Sequence, residues 1–143
     1  MAEKVIVGVD GSVTAQQAAL RAAEIAVSMG AELAVVTAHA SDNTEVVRIG
    51  SDTWILDDAE QALKLAEQCA AALRAALPEA VVSAVAAKGK PQEVLVNEAA
   101  RLNAGLIVVG NVGMQGLGRV LGSVASSVAH NAPCDVYIVK TAK

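Results

Sequence analysis

The strongest constraint on the fold is the alternation of short β-branched runs with long alanine-rich stretches of helical period. This alternation is typical of βαβ units, in which a helix connects each strand to the next. The first and fourth runs are continuously apolar, which favours central strands buried on both faces. We therefore expect an α/β fold with a five-stranded parallel sheet and helices on both faces, its strands at residues 4–9, 33–38, 81–87, 106–109 and 136–139.

Local signals predict where four helices begin and end. Ser12 or Thr14 can cap the first helix, and Gly30 is a usual residue just beyond a helix C-terminus. The second helix is expected to start at residue 57 or 58 and to stop before Pro78, and the third to begin at Pro91. The fourth is expected at residues 123–131.

Residues 40–57 interrupt the alternation, because they have no clear period and carry polar residues throughout. A loop of this length is uncommon in a compact domain unless it has a function. Trp54, its largest apolar residue, either packs the loop onto the sheet or forms a lid or partner surface.

Composition excludes several classes of protein. With 54% hydrophobic residues the chain is too apolar for intrinsic disorder, and its net charge of −4 argues against a nucleic-acid binder. No apolar run is long enough to span a membrane, and the first residues lack a signal-peptide layout. Cys69 and Cys134 cannot form a disulfide framework. A single cytoplasmic domain over residues 1–143 is expected.

Two glycine-containing turns are the strongest candidates for a ligand site. Asp10-Gly11-Ser12 follows the first strand, and Gly110-Asn111-Val112-Gly113 follows the fourth. Ligands of open α/β sheets bind at the carboxyl ends of strands where the strand order reverses. Glycine amides and the helix N-terminus at Gly122-Ser123 can bind phosphate oxygens. The alternative is that these glycines only make turns and that Asp10 is only a turn residue.

The chain offers few residues for chemistry. The glycine segment lacks the Gly-Lys-Ser/Thr ending of a Walker A loop. His39 lies in a loop beside the cleft, and His130 lies in the last turn of a helix, where it suits the helix dipole. No nucleophile, base and orienting acid stand together, and no acidic cluster is present for a metal, which disfavours a rapid ATPase.

Several motifs resemble the universal stress protein family, and the resemblance covers the whole chain. The opening Val-Ile-Val-Gly-Val-Asp-Gly-Ser is similar to the first βα unit of the family, and Gly89-Lys90-Pro91 resembles its Gly-x-Pro turn. Gly110, Gly113, Gly122 and Ser123 resemble its ATP motif, Gly-x2-Gly-x9-Gly-Ser/Thr. Here the second spacing is one residue shorter.

The resemblance implies a sheet of order 3-2-1-4-5, ATP at the switch point and a homodimer. Asp10 would contact adenosine, and Ala38 would contact adenine through its backbone. The base and ribose would lie against Val109 and Gly110, and the phosphates would be held by Gly113, Gly122, Ser123 and Val124. Any Mg²⁺ would be held mainly through the phosphates.

Three functions follow as alternatives. The first is an ATP-binding stress-response protein whose nucleotide state alters an unidentified protein partner. The second is a slow ATP hydrolase or autophosphorylating protein, with Ser123 or a loop serine as acceptor. The third is a dimeric interaction module that does not bind nucleotide. The homodimer is expected to form through the last strand, because Val136, Tyr137, Ile138 and Val139 include no proline or charge to protect an exposed edge.

Overall fold

The structure is a computed structural model that describes residues 3–39, 44–49, 52–111 and 122–141. The strands are β1 (Lys4–Gly8), β2 (Glu32–His39), β3 (Thr44–Ile49), β4 (Asp52–Asp57), β5 (Val82–Lys88), β6 (Leu106–Gly110) and β7 (Asp135–Val139). The helices are α1 (Val13–Met29), α2 (Asp58–Ala76), α3 (Pro91–Leu102) and α4 (Ser123–Asn131).

Five of these strands form one parallel sheet in the order β5-β2-β1-β6-β7. Counting only the strands of this sheet, the order is 3-2-1-4-5, so the predicted fold is confirmed. The central strand is β1, in which Val5 lies opposite Leu33 of β2 on one side and Leu106 of β6 on the other. The strand order therefore reverses between β1 and β6.

The expectation of a loop over residues 40–57 is wrong for most of that interval. β3 and β4 pair as an antiparallel hairpin, with Thr44 opposite Asp57 and Ile49 opposite Asp52. Trp54 lies opposite Val47 in this ladder. The sequence does contain a hairpin signal, because two β-rich runs flank the dipeptide Gly50-Ser51. Residues 40–43, 50 and 51 lie outside the described residues.

The predicted helix boundaries agree with the structure. Ser12 caps α1, and its Oγ accepts a hydrogen bond from the Ala15 N–H over 3.1 Å. Gly30 ends α1 in the left-handed conformation at φ +67°, and Pro91 is the first residue of α3. The turns at the ends of the strands are therefore held by local hydrogen bonds and backbone preferences.

The hydrophobic core lies on both faces of the sheet. One face packs against α1 and α2, and the other packs against α3 and α4. The contribution of α1 consists of small side chains, since its buried residues are Ala18, Ala19, Ala22, Ala23 and Ala26. These small side chains let the helix pack close to the sheet, as the alanine-rich composition suggests.

Candidate functional site

The carboxyl ends of β1 and β6 meet at one edge of the sheet. Val7 of β1 pairs with Val108 of β6, so Asp10 lies just beyond the end of β1 and Gly110 is the last residue of the neighbouring strand. The Gly122 N–H donates to the Asn111 carbonyl oxygen over 3.0 Å, and this bond holds the start of α4 against the end of β6. Both described ends of the glycine segment therefore lie at the edge where Asp10 lies.

The Asp10 turn has a structural role of its own. The Asp10 Oδ1 accepts a hydrogen bond from the Ser12 N–H over 3.0 Å, and Gly11 between them has φ +85°. Gly11 is therefore required by the backbone, which matches the interpretation of this turn as a structural one. Asp10 is exposed to solvent at the end of β1.

Gly110 and Gly122 differ from Gly11 because their backbones do not require glycine. Gly122 has φ −60° and ψ 153°, an extended conformation that any residue adopts. Gly110 is not among the glycines of positive φ, and a Cβ added to it would lie 3.4 Å from Thr141 Cγ2. Turn geometry therefore does not explain these two glycines, whereas close approach of a ligand to the backbone would.

The N-terminus of α4 begins at a glycine. Gly122 is its N-cap residue and has no side chain to cap the first amides of this nine-residue helix. Ser123 is exposed in the first turn, and Val124 beside it is partly buried against the core. Unpaired N–H groups and the helix dipole together favour negative charge at this position.

Asn111 joins this edge to the last strand, and the motif analysis did not select it. Its N–H donates to the Val139 carbonyl oxygen over 2.9 Å. Its side-chain Oδ1 accepts hydrogen bonds from the Thr141 N–H over 2.8 Å and from the Thr141 hydroxyl over 3.2 Å. Asn111 thus connects β6, the start of α4 and the residues that follow β7.

Ala38 presents its backbone to the same edge. The Val9 N–H donates to the Val36 carbonyl oxygen, whereas the His39 carbonyl oxygen accepts from the Gly89 N–H on the β5 side. Since backbone groups alternate in direction along a strand, the N–H and C=O of Ala38 point toward the β1 side. β1 ends at Gly8, so no described strand lies opposite Ala38 there.

A shallow cavity of about 310 Å³, open to solvent, lies between the end of β2 and the first turns of α2. It is lined by Thr37, Ala38, His39, Asp58, Gln61, Ala62 and Leu65. A Cβ added to Gly11 would lie 3.5 Å from Leu65 Cδ1, so the cavity borders the β1–α1 turn.

The remaining predicted site residues lie in different surroundings. Val109 is only 4% exposed, with its side chain in the core, so only its backbone can face the edge. Gly113 lies outside the described residues. The prediction of a loop at His39 is wrong, because His39 is the last residue of β2 and pairs with Lys88 of β5. His130 lies in the last turn of α4, as predicted.

The cysteines behave as small apolar residues. Cys69 packs against the core on the α1 and α2 side, and burial raises the pKa of its thiol. Burial, and secondarily the charge of Asp135, raises the pKa of the Cys134 thiol. Both thiols therefore stay protonated at neutral pH, which disfavours a role as nucleophiles.

Neither a metal-binding cluster nor a membrane-spanning helix is present in residues 3–39, 44–49, 52–111 and 122–141. In these ranges no three His, Cys, Asp or Glu side chains are grouped so that they could hold a metal ion. None of the helices described here is long and apolar enough to cross a membrane.

Residues 1–140 match the profile of the family described as "Universal stress protein family". The chain belongs to this family. It is 36% identical over 137 residues to a universal stress protein of Mycobacterium tuberculosis, an alignment that covers 95% of this chain and 45% of the relative. The chain thus spans about half the length of that relative. The universal stress protein A homolog 1 of Coxiella burnetii is 30% identical over 142 residues, covering 94% of each chain.

A solved universal stress protein has the same fold. Its crystal structure, in complex with cAMP, is 31% identical to this chain and gives a TM-score of 0.74. The comparison covers 99% of this chain and 98% of the other. The family resemblance that the glycine motif suggested is therefore confirmed.

Proposed function

We propose that this chain is an adenine-nucleotide-binding regulatory protein of the stress response, with ATP as its ligand. Residues 1–143 would form one nucleotide-binding domain that acts in the cytoplasm and changes its interaction with an unidentified protein partner. ATP would contact Asp10, Ala38, Val109, Gly110, Gly113, Gly122, Ser123 and Val124, and any Mg²⁺ would be held through the phosphates.

The hydrogen bond between the Gly122 N–H and the Asn111 carbonyl oxygen is the observation that carries this proposal. It brings the N-terminus of α4 beside the end of β6, next to the strand that leads to Asp10. An anion there would be bound by amide groups and by the helix dipole. The backbone of Ala38, which has no described strand opposite it, supplies a donor and an acceptor for a base.

A cyclic adenine nucleotide is the second candidate ligand. The solved universal stress protein that is 31% identical to this chain is in complex with cAMP. A cyclic monophosphate carries one phosphate, which the N-terminus of α4 can hold without a divalent cation.

Slow ATP hydrolysis or autophosphorylation remains the enzymatic alternative, with Ser123 as a candidate acceptor. A homodimer that binds no nucleotide is the third function. Mass spectrometry of small molecules released by denaturing the freshly purified chain separates these functions. An adenine nucleotide among them supports the proposal, and accumulation of ADP during incubation with ATP and Mg²⁺ supports the enzyme. If no nucleotide is released and calorimetry detects no binding of ATP or cAMP at millimolar concentration, the result supports the interaction module that binds no nucleotide.

Substitution of the two glycines tests the position of the ligand. We expect Gly110→Ala and Gly122→Val to weaken nucleotide binding at least tenfold, because each adds a side chain where a ligand approaches the backbone. Calorimetry with ATP and cAMP measures the change. Both backbones tolerate a side chain, so the variants should fold.

Gly105→Ala is the matched control. Gly105 lies at the opposite end of β6, where its N–H donates to the Lys4 carbonyl oxygen. A Cβ there would lie 3.5 Å from the Glu3 carboxylate, an ordinary contact. The Gly105→Ala variant should bind ATP and cAMP with the same affinity as the unmodified chain. Unchanged binding in both edge variants would place the ligand elsewhere.

A further inference from the structure

Thr37 is a buried residue whose hydroxyl has no hydrogen-bond partner. The residue is 5% exposed, and its Oγ1 neither reaches solvent nor contacts a donor or acceptor among the described residues. Buried hydroxyls are normally paired, because burying an unpaired one costs stability. This hydroxyl is the only buried side-chain polar atom left unpaired in the part of the chain that the structure describes.

The fold gives no structural reason for a hydroxyl at this position. Thr37 is followed by Ala38 and preceded by Val35 and Val36. A valine would have the same shape as threonine and no hydroxyl to leave unpaired. The free protein would therefore be more stable with valine at position 37 than with threonine.

The position of Thr37 suggests what the hydroxyl could bind. Thr37 lines the cavity at the end of β2, directly before Ala38, whose backbone faces the open side of the strand. Rotation about χ1 moves the threonine hydroxyl to another staggered position, so a ligand in the cavity can select the rotamer that it needs. A hydroxyl both donates and accepts, and the edge of a purine offers ring-nitrogen acceptors beside an exocyclic amine.

We propose that the Thr37 hydroxyl forms a hydrogen bond with the base of a nucleotide bound in the cavity at the end of β2. The unpaired hydroxyl lowers the stability of the free protein, and binding of the base compensates for that loss. The inference rests on the proposed function and adds a base-binding side chain to the backbone contact expected at Ala38.

The test uses Thr37→Val, which removes only the hydroxyl, and Thr37→Ser, which keeps the hydroxyl and removes the methyl group. In the full chain, Thr37→Val should raise the midpoint of thermal unfolding by about 2–4 °C without ligand. The same variant should weaken binding of adenosine and of cAMP by about five- to tenfold in calorimetry. Thr37→Ser should bind both ligands within about twofold of the unmodified chain.

Thr141→Val is the matched control for stability. The Thr141 residue is buried to a similar degree, at 8% exposed, but its hydroxyl donates to Asn111. Its substitution should lower the unfolding midpoint, opposite in sign to Thr37→Val. Only an unpaired hydroxyl explains that contrast.

Three results would overturn the inference. Equal binding by the unmodified chain and Thr37→Val would show that the hydroxyl does not contact the ligand, while the proposed function stands. Equal weakening in Thr37→Val and Thr37→Ser would assign the loss to packing. If the unmodified chain binds neither adenosine, cAMP nor ATP, the proposed function fails and the inference fails with it.

Discussion

Asn111 shows how a single side chain can organise the edge of a sheet. A backbone N–H can only donate, so the atom of Asn111 that faces the Thr141 N–H must be its amide oxygen. The same oxygen also accepts from the Thr141 hydroxyl. The position of the residues that follow β7 therefore depends on an acceptor at position 111.

Two substitutions of Asn111 separate its acceptor from its size. Asn111→Ala removes both bonds to Thr141 and should lower the free energy of unfolding by about 1–3 kcal/mol. Asn111→Asp keeps an acceptor oxygen and should stay within about 0.5 kcal/mol of the unmodified chain at neutral pH. Urea unfolding measures both values. An Asn111→Asp variant as unstable as Asn111→Ala would contradict this role.

At the residue scale, sequence reasoning finds local bonds and misses distant ones. It identifies Ser12 and Gly30 because helix caps act within a few residues of the chain. It misses the bond from Asn111 to Thr141, which joins residues 30 apart. It cannot separate Gly11 from Gly110, since only backbone dihedral angles show that the first glycine is required by a turn and the second is not.

Among the elements, α1 depends on small side chains. Ala22 is 0% exposed and lies on the face of α1 that packs against the sheet. A larger side chain there must push the helix away from β1 or adopt a strained rotamer. The absence of phenylalanine and the abundance of alanine are thus consequences of close helix–sheet packing.

Ala22→Leu tests this packing. The substitution should lower the free energy of unfolding by about 1–3 kcal/mol through overpacking, although leucine is a good helix former. Gln16→Leu, at an exposed position of the same helix, is the control and should change it by less than about 0.5 kcal/mol. Chemical denaturation measures the free energy of unfolding of both variants. An Ala22→Leu variant as stable as the unmodified chain would show that the interface between α1 and the sheet can accommodate a larger side chain.

The elements also show the limit of periodicity. The five strands of the sheet and the four helices are predicted to within a residue or two, because burial on both faces makes the strands continuously apolar. β3 and β4 pair only with each other, so they lack that pattern. For a hairpin of this kind the turn dipeptide is a better signal than hydrophobicity.

On the scale of the whole molecule, the two edges of the sheet differ. At the β5 edge, the Arg74 guanidinium Nη2 donates to the Val82 carbonyl oxygen over 2.5 Å. The Val81 carbonyl oxygen accepts from the Leu33 N–H of β2. The carbonyl of the next residue, Val82, therefore points away from β2 to the outer edge, where the Arg74 side chain covers it. At the other edge, β7 pairs with β6 alone among the described strands, and Tyr137 and Ile138 are 43% and 38% exposed. The β7 edge is therefore better suited to pair with a second chain.

The predicted homodimer pairs β7 with its twofold copy, which makes the two strands antiparallel. The Val139 carbonyl oxygen bonds to Asn111 on the β6 side, so the backbone groups of Ile138 point to the free edge and those of Tyr137 point to β6. Ile138→Pro should therefore abolish the dimer and leave the sheet of each chain intact, whereas Tyr137→Pro should destabilise the chain itself.

Light scattering at micromolar concentration, with circular dichroism as a check on folding, measures both effects. The unmodified chain should have twice the mass of one chain, and Ile138→Pro should have the mass of one chain at a similar unfolding temperature. A monomeric unmodified chain contradicts the dimer. A folded Ile138→Pro variant that remains dimeric moves the interface away from β7, and the hairpin that carries Trp54 is then the next surface to test.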